Sequence, residues 1–136
     1  MEIYTKNIEV VASDLDDLNH VNNVRYVQWM QDIAKEHWQS RATQSMQDQY
    51  AWVVLKHTIA YKGAAKLHET LLLKTYIARS KGPISVRVVE MSNATSGQLL
   101  VQAETEWCLL NSKSLKPVRI SNAIKQVFSN ETASPL

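Results

Sequence analysis

The groups best able to do chemistry lie together in Asp14-Leu15-Asp16-Asp17-Leu18-Asn19-His20-Val21-Asn22-Asn23-Val24-Arg25-Tyr26. A carboxylate at a loop-to-helix junction can attack an electrophilic carbon or take a proton from water, and Asp16 suits that role best. His20 follows four residues later; its neutral imidazole both donates and accepts hydrogen bonds. Asn22 or Asn23 can cap a helix, whose first turn offers unpaired N–H groups and the positive end of a dipole to a developing oxyanion. These parts suit acyl transfer to water. Each also has a purely architectural reading. Any of Asp14, Asp16 and Asp17 can close a strand in an Asx-turn, the asparagines can simply cap, and His20 can brace the loop. The residue types alone leave both readings open.

The flanking pattern says what must hold this segment. Residues 3–12 read as a strand. Beyond the loop, Tyr26, Val27, Met30, Ile33, Ala34, His37 and Trp38 recur at three- and four-residue spacing, which predicts an amphipathic helix of about four turns beginning near Val24. The polar segment 43–49 has no strand character and reads as a connector. The period then changes to two. Val53, Leu55, His57, Ile59 and Tyr61 alternate with Trp52, Val54, Lys56, Thr58 and Ala60 to predict one long strand. Further strands are expected over 69–78, over 84–91 after Lys81-Gly82-Pro83, and over 99–110 after a turn at 93–97. In the last of these, Leu99, Val101, Ala103, Thr105, Trp107 and Leu109 share a buried face opposite Gln102, Glu104 and Glu106. A brief helix is expected at 121–128. Short turns favour antiparallel neighbours, so the class is α+β.

The chain has 136 residues, 45% of them hydrophobic and 21% charged, which suits one globular domain over 1–128 with a loose tail at 129–136. A net charge of +2, with no basic runs, gives no reason to expect nucleic acid as a partner. The single cysteine, Cys108, fits a reducing compartment, and no apolar stretch has the length of a membrane span or a signal h-region. Cytoplasmic localisation without membrane association is the expectation. One helix covers only part of a five-stranded sheet, so a homo-oligomer is expected.

The run D-x-D-x-x-x-H-V-N-N-x-x-Y, from Asp14 to Tyr26, resembles the signature of 4-hydroxybenzoyl-CoA thioesterase-like hotdog enzymes. It is also similar to the segment that opens the same helix in plant acyl-ACP thioesterases. The resemblance implies a hotdog fold, an antiparallel β-sheet wrapped around one long central helix. It also implies dimers with active sites between subunits and hydrolysis of an acyl-CoA or acyl-ACP thioester; the chemistry itself requires no cofactor, and the expected assembly is a homodimer or homotetramer. It makes Asp16 the nucleophile or general base and Asn23 the residue whose backbone N–H polarises the thioester carbonyl; the imidazole chemistry of His20 makes it the candidate to orient the thioester or supply a hydrogen bond. Two plant-type positions differ: Leu18 and Ala64 replace an asparagine and an acid, which favours a simpler mechanism centred on Asp16.

Tyr26, Trp29, Met30 and Ile33 suit a core, and Tyr26 is also a candidate for lining the acyl channel. Lys62, Lys66, Arg79, Lys81 and Arg87 read as solvated charges, with Arg79 and Lys81 the candidates for gripping CoA phosphates. His37, His57 and His68 show no metal-ligand spacing and read as structural. Two rival functions are an enoyl-thioester hydratase and a non-catalytic acyl-CoA-binding module. Thiol release separates hydrolysis from both.

Overall fold

The computed structural model describes residues 2–129, and all but the first residue of the expected tail lies outside them. Its elements, in chain order, are β1 (Tyr4–Glu9), α1 (Asn23–Arg41), α2 (Gln44–Gln49), β2 (Tyr50–Tyr61), β3 (Thr70–Lys81), β4 (Ile84–Asn93), β5 (Leu99–Asn111) and α3 (Asn122–Val127). The strands form one antiparallel sheet in the order β1-β3-β4-β5-β2, with α1 packed against it. The class is α+β and the fold a hotdog, as the motif implied.

Helix α1 forms where the periodicity placed it. Asn22 caps it, its Oδ1 accepting from the Val24 N–H at 3.0 Å. The face carrying Tyr26, Trp29, Met30, Ile33, Ala34, His37 and Trp38 is buried. Its first half joins Val10, Leu71, Leu73, Val89, Met91 and Val101 in the main core; Trp38 and Ala42 join Leu109 and α3 in a second cluster. Burying a side chain such as Ile33 or Leu73 contributes roughly 1.5–3 kcal/mol.

Three local expectations need correction. Residues 44–49 are a helix, not a bare connector: Thr43 Oγ1 caps it by accepting from the Met46 N–H at 3.1 Å. Six residues are too few for periodicity to reveal, and a side-chain cap supplies the start signal. In β2 the alternation breaks at a bulge between Val54 and Lys56. One extra residue reverses the phase, so Val53 and Leu55 are exposed while His57 and Ile59 are half-buried. Finally, β2 and β3 are not neighbours despite their short link. Residues 62–69 cross the sheet end, a span of three inter-strand spacings, roughly 14 Å, which eight residues cover easily.

Candidate active site

The loop between β1 and α1 is built on its own polar residues. One carboxylate oxygen of Asp16, Oδ1, accepts from the N–H groups of Leu18 at 2.9 Å and His20 at 3.1 Å. The Asp16 N–H donates to the His20 carbonyl at 2.7 Å, and the Asn19 N–H to the Asp16 carbonyl at 3.1 Å. This turn needs a left-handed residue, and Asn19 adopts φ 62°. Asparagine enters that region more readily than most side chains, a requirement that the sequence reading missed although the residue type signals it. The Asp16 Oδ2 keeps no partner among the described residues. The carboxylate is thus oriented through one oxygen and open at the other.

Asn23 is the first residue of α1, and its backbone N–H likewise has no partner among the described residues. The Asn22 N–H, by contrast, donates to the Asp14 carbonyl, and the Val24 N–H is taken by the cap. His20 is exposed, and its tie to Asp16 runs through backbone atoms rather than its ring.

Asp14 anchors the loop. It is 2% exposed, accepting from the Val11 N–H at 3.0 Å and from Arg25 Nε at 2.9 Å. Tyr26 lies in the core at 2% exposure, and its phenol oxygen accepts from the Ala65 N–H at 3.1 Å. Burial is the main reason its pKa is raised, and the nearby Tyr61, Glu69 and Asp16 act in the same direction. Because Ala65 also accepts from the Val21 N–H at 3.1 Å, the crossing segment is clamped to both the loop and the helix. Tyr26→Phe is expected to cost about 1–3 kcal/mol by stranding the buried Ala65 N–H. A urea midpoint identical to wild type would show that the clamp contributes nothing.

Arg79 and Lys81 do not meet Asp16 within one chain. The Asp16 loop sits at the Thr70 end of β3, where Val10 N–H donates to the Glu69 carbonyl, whereas Arg79 and Lys81 are exposed at the other end. Ten residues of strand separate the two ends by roughly 33 Å. Arg87 departs further from expectation: rather than a solvated charge, it is 4% exposed. It donates from Nη1 to His37 Nδ1 at 3.0 Å and to Thr75 Oγ1 at 3.1 Å, and its guanidinium lies over the Phe128 ring. A two-residue period along β4 points Ser85, Arg87 and Val89 to the helix side, which a count of charges does not reveal.

A cavity of about 440 Å³ lies between the flank of α1 and the sheet, lined among others by Gln28, Trp52, Ile77, Arg87 and Trp107. Asp16 of the same chain is not in its wall. It begins at Gln28, about 7–8 Å along the helix from Asn23, and continues to Gln39.

The model of the Thioesterase-like superfamily matches residues 10–128. Among solved structures, the chain is similar to a 1,4-dihydroxy-2-naphthoyl-CoA thioesterase from Synechocystis, with a TM-score of 0.82 and 18% identity over 98% of this chain and 99% of that one. A DHNA-CoA thioesterase from Staphylococcus aureus gives a TM-score of 0.82 and 18% identity over 98% and 93%. A further Staphylococcus aureus protein, solved in complex with CoA, gives 0.81 and 13% over 93% and 81%. At these identities the structures establish the fold. No curated protein sequence matches the chain.

Proposed function

The chain belongs to the Thioesterase-like superfamily, and from that premise we propose that it hydrolyses an acyl-CoA, or an acyl-ACP, to the free acid and thiol. The observation that carries the reading is the Asp16 carboxylate, pinned through Oδ1 with Oδ2 open, in the loop that leads to an unpaired Asn23 N–H at a helix start.

In the nucleophilic route, Asp16 Oδ2 attacks the thioester carbonyl carbon, the C–S bond breaks, and the thiolate leaves and takes a proton from solvent. Water then hydrolyses the resulting anhydride. In the general-base route, Asp16 takes a proton from water as the water attacks the same carbon, and the proton passes to the thiol. Both routes place negative charge on the carbonyl oxygen, where the Asn23 N–H and the positive end of α1 stabilise it. His20, exposed beside Asp16, supports the thioester.

A second copy of the chain completes the site. Arg79 and Lys81 sit at the far end of β3 from the Asp16 loop, so they grip the carrier phosphates of a thioester bound at the other subunit's Asp16. Tyr26 acts behind the acyl channel, as part of its wall. The exposed Val53 and Leu55 on the edge strand β2 favour self-association as a homodimer or homotetramer. The lone buried thiol, Cys108, is consistent with a cytoplasmic setting.

The test is thiol release from a series of short, long and aromatic acyl-CoAs, with light scattering on the same preparation. Turnover of at least one ester by a dimer or tetramer is expected. Loss of enoyl absorbance without thiol would instead establish a hydratase, and binding without either change an acyl-CoA-binding module. A clean monomer at micromolar concentration removes the composite site.

A further inference from the structure

The chain builds one turn twice and departs from it at one residue. In the turn between β4 and β5, Asn93 Oδ1 accepts from the N–H groups of Thr95 and Ser96, the Gly97 N–H donates to the Asn93 carbonyl, and the Asn93 N–H to the Gln98 carbonyl. After β5 the same bonds recur. Asn111 Oδ1 accepts from Lys113 and Ser114, the Leu115 N–H donates to the Asn111 carbonyl at 2.8 Å, and the Asn111 N–H to the Lys116 carbonyl at 2.9 Å. Even the closing serine is repeated, Ser96 Oγ accepting from the Gln98 N–H and Ser114 Oγ from the Lys116 N–H. Both turns need a left-handed residue before they close. The first uses Gly97 at φ 78°, whereas the second puts Leu115 there at φ 59°. A leucine in that region crowds its own backbone, where glycine is free. Its side chain gains nothing from the fold in exchange, since Leu115 is 65% exposed. A strained, solvated leucine on a rigid turn points to a contact outside the chain.

The surrounding charges say what kind of contact. Residues 107–129 include Lys113, Lys116, Arg119 and Lys125 and no acid, and residues 70–89 have no acid either. The two stretches meet at one end of the sheet, where the Ile120 N–H donates to the Gly82 carbonyl and the Leu109 N–H to the Pro83 carbonyl. Exposed Lys81 joins the four cations there, and among the described residues none of the five lies within ion-pair distance of an acid. Of the acids packed against this end, Asp48 accepts from Gln44 at 2.8 Å, and Glu106 stands opposite Lys56 in the strand register.

We propose that the Leu115 turn and the cations around it dock an acyl carrier protein, an acidic protein that bears its acyl group on a phosphopantetheine arm. The inference rests on the thioesterase reading and chooses between the two carriers that reading allows. Coenzyme A offers phosphates to Lys81 but no use for a strained leucine. An acidic protein surface answers the spread of cations and supplies an apolar partner for Leu115. The arm serves Asp16 of the partner subunit, because the Asp16 loop of the same chain lies at the opposite end of β3. Pairing two copies of the edge strand β2 antiparallel sets the Tyr61 end of one beside the Tyr50 end of the other. Tyr50 pairs with Asn111 at the base of the turn, and Tyr61 packs on Tyr26 at 5.8 Å, beside the clamp on the Asp16 loop. Two inter-strand spacings, roughly 10 Å, lead from the partner's β2 to β5 and the turn. The arm, about thirteen bonds from phosphorus to sulfur, extends roughly 16 Å and leaves the remainder for the step to the reacting carboxylate.

The experiment compares octanoyl carrier protein with octanoyl-CoA, which differ only in the carrier. Wild type is expected to favour the carrier protein in kcat/KM by about tenfold or more at low ionic strength, with the preference shrinking as salt rises. The triple variant Lys113→Ser, Leu115→Gly and Lys116→Ser is expected to lose the preference through KM while its rate on octanoyl-CoA stays at the wild-type value. Leu115→Gly alone is expected to keep or raise the urea midpoint, because glycine relieves the left-handed position, yet to weaken carrier-protein binding by about fivefold or more. A fall in that midpoint makes the leucine structural and overturns the proposal, as does equal kcat/KM for the two carriers in wild type. Fluorescence anisotropy of a labelled holo carrier protein separates failure here from failure of the thioesterase reading. Binding that the triple variant loses, with no thioester cleaved, upholds the surface and removes hydrolysis. Cleavage of octanoyl-CoA without carrier-protein binding keeps hydrolysis and removes the surface. Equal affinity for a DNA duplex or a phosphatidylglycerol vesicle identifies a general polyanion site, and dissociation of the oligomer by Leu115→Gly an interface between copies; either overturns the proposal.

Discussion

Replacing Asp16 with asparagine is expected to lower kcat by about 10²–10⁴-fold while leaving KM close to wild type. Asparagine keeps a side-chain oxygen at the position of Oδ1, so the N–H groups of Leu18 and His20 retain their acceptor and the turn keeps its shape. What disappears is the charged oxygen that attacks or removes the proton. The loss therefore falls on the chemical step rather than on binding. Unchanged circular dichroism and urea midpoint would confirm that the fold survives, and retained affinity for an acyl-CoA that the variant no longer cleaves would isolate the chemical role. Near-normal turnover in Asp16→Asn would remove this residue from the mechanism. Asp14→Asn makes a useful contrast, because its carboxylate holds Val11 and Arg25 and its loss should appear first as lower stability.

Stability is expected to fall by roughly 2–3 kcal/mol between pH 7.5 and pH 4.5, chiefly through His37. This ring is 0% exposed, stacks on Tyr4 at 4.9 Å and lies 4.8 Å from Phe128. Burial is the main reason its pKa drops from 6.5 to about 4; the Glu2 hydrogen bond opposes the drop, and the Arg87 and Arg41 charges reinforce it. The unfolded chain therefore binds this proton more readily than the native one. The contribution is complete above pH 6.5, is lost progressively as pH falls towards 4, and levels off below that. Glu2 adds to the loss at the acid end. Burial raises its pKa, but hydrogen bonds from His37 and Arg41 outweigh burial and lower it overall, so its contribution fades below 4.5. Urea denaturation across this range measures the effect. His37→Gln, which can accept from Arg87 and donate to Glu2 without titrating, should flatten the pH 4.5–7.5 segment. A wild-type stability that is level from pH 7 to pH 5 would contradict the neutral buried histidine.

Much of the site was legible before folding because its signals are local. Asp16, His20 and Asn23 lie within eight residues, the cap at Asn22 acts on Val24 two residues away, and the three-to-four spacing from Tyr26 to Trp38 already defines the buried face of α1. The separate roles of the motif's acids were less legible. Asp14 and Asp16 are the same residue type two positions apart, yet one is sealed against Arg25 and the other opens one oxygen. Their neighbours in space make that difference, and Arg25 is eleven residues further on.

By itself the sequence determined the helix, its start at the Asn22-Asn23 pair, the strand periods and the position of the Asp16 loop, since each depends on interactions within a few residues. Only the tertiary structure decided which strands pair, where the bulge at Leu55 turns β2 over, and that Tyr26 joins the loop to Ala65 across 39 residues. It also turned Arg87 from an apparent surface charge into a buried cation tied to His37 and Thr75. The physical reason is common to all of these: burial and pairing are properties of the closed sheet and its helix, and residues far apart in the sequence acquire them only when the chain brings them into contact.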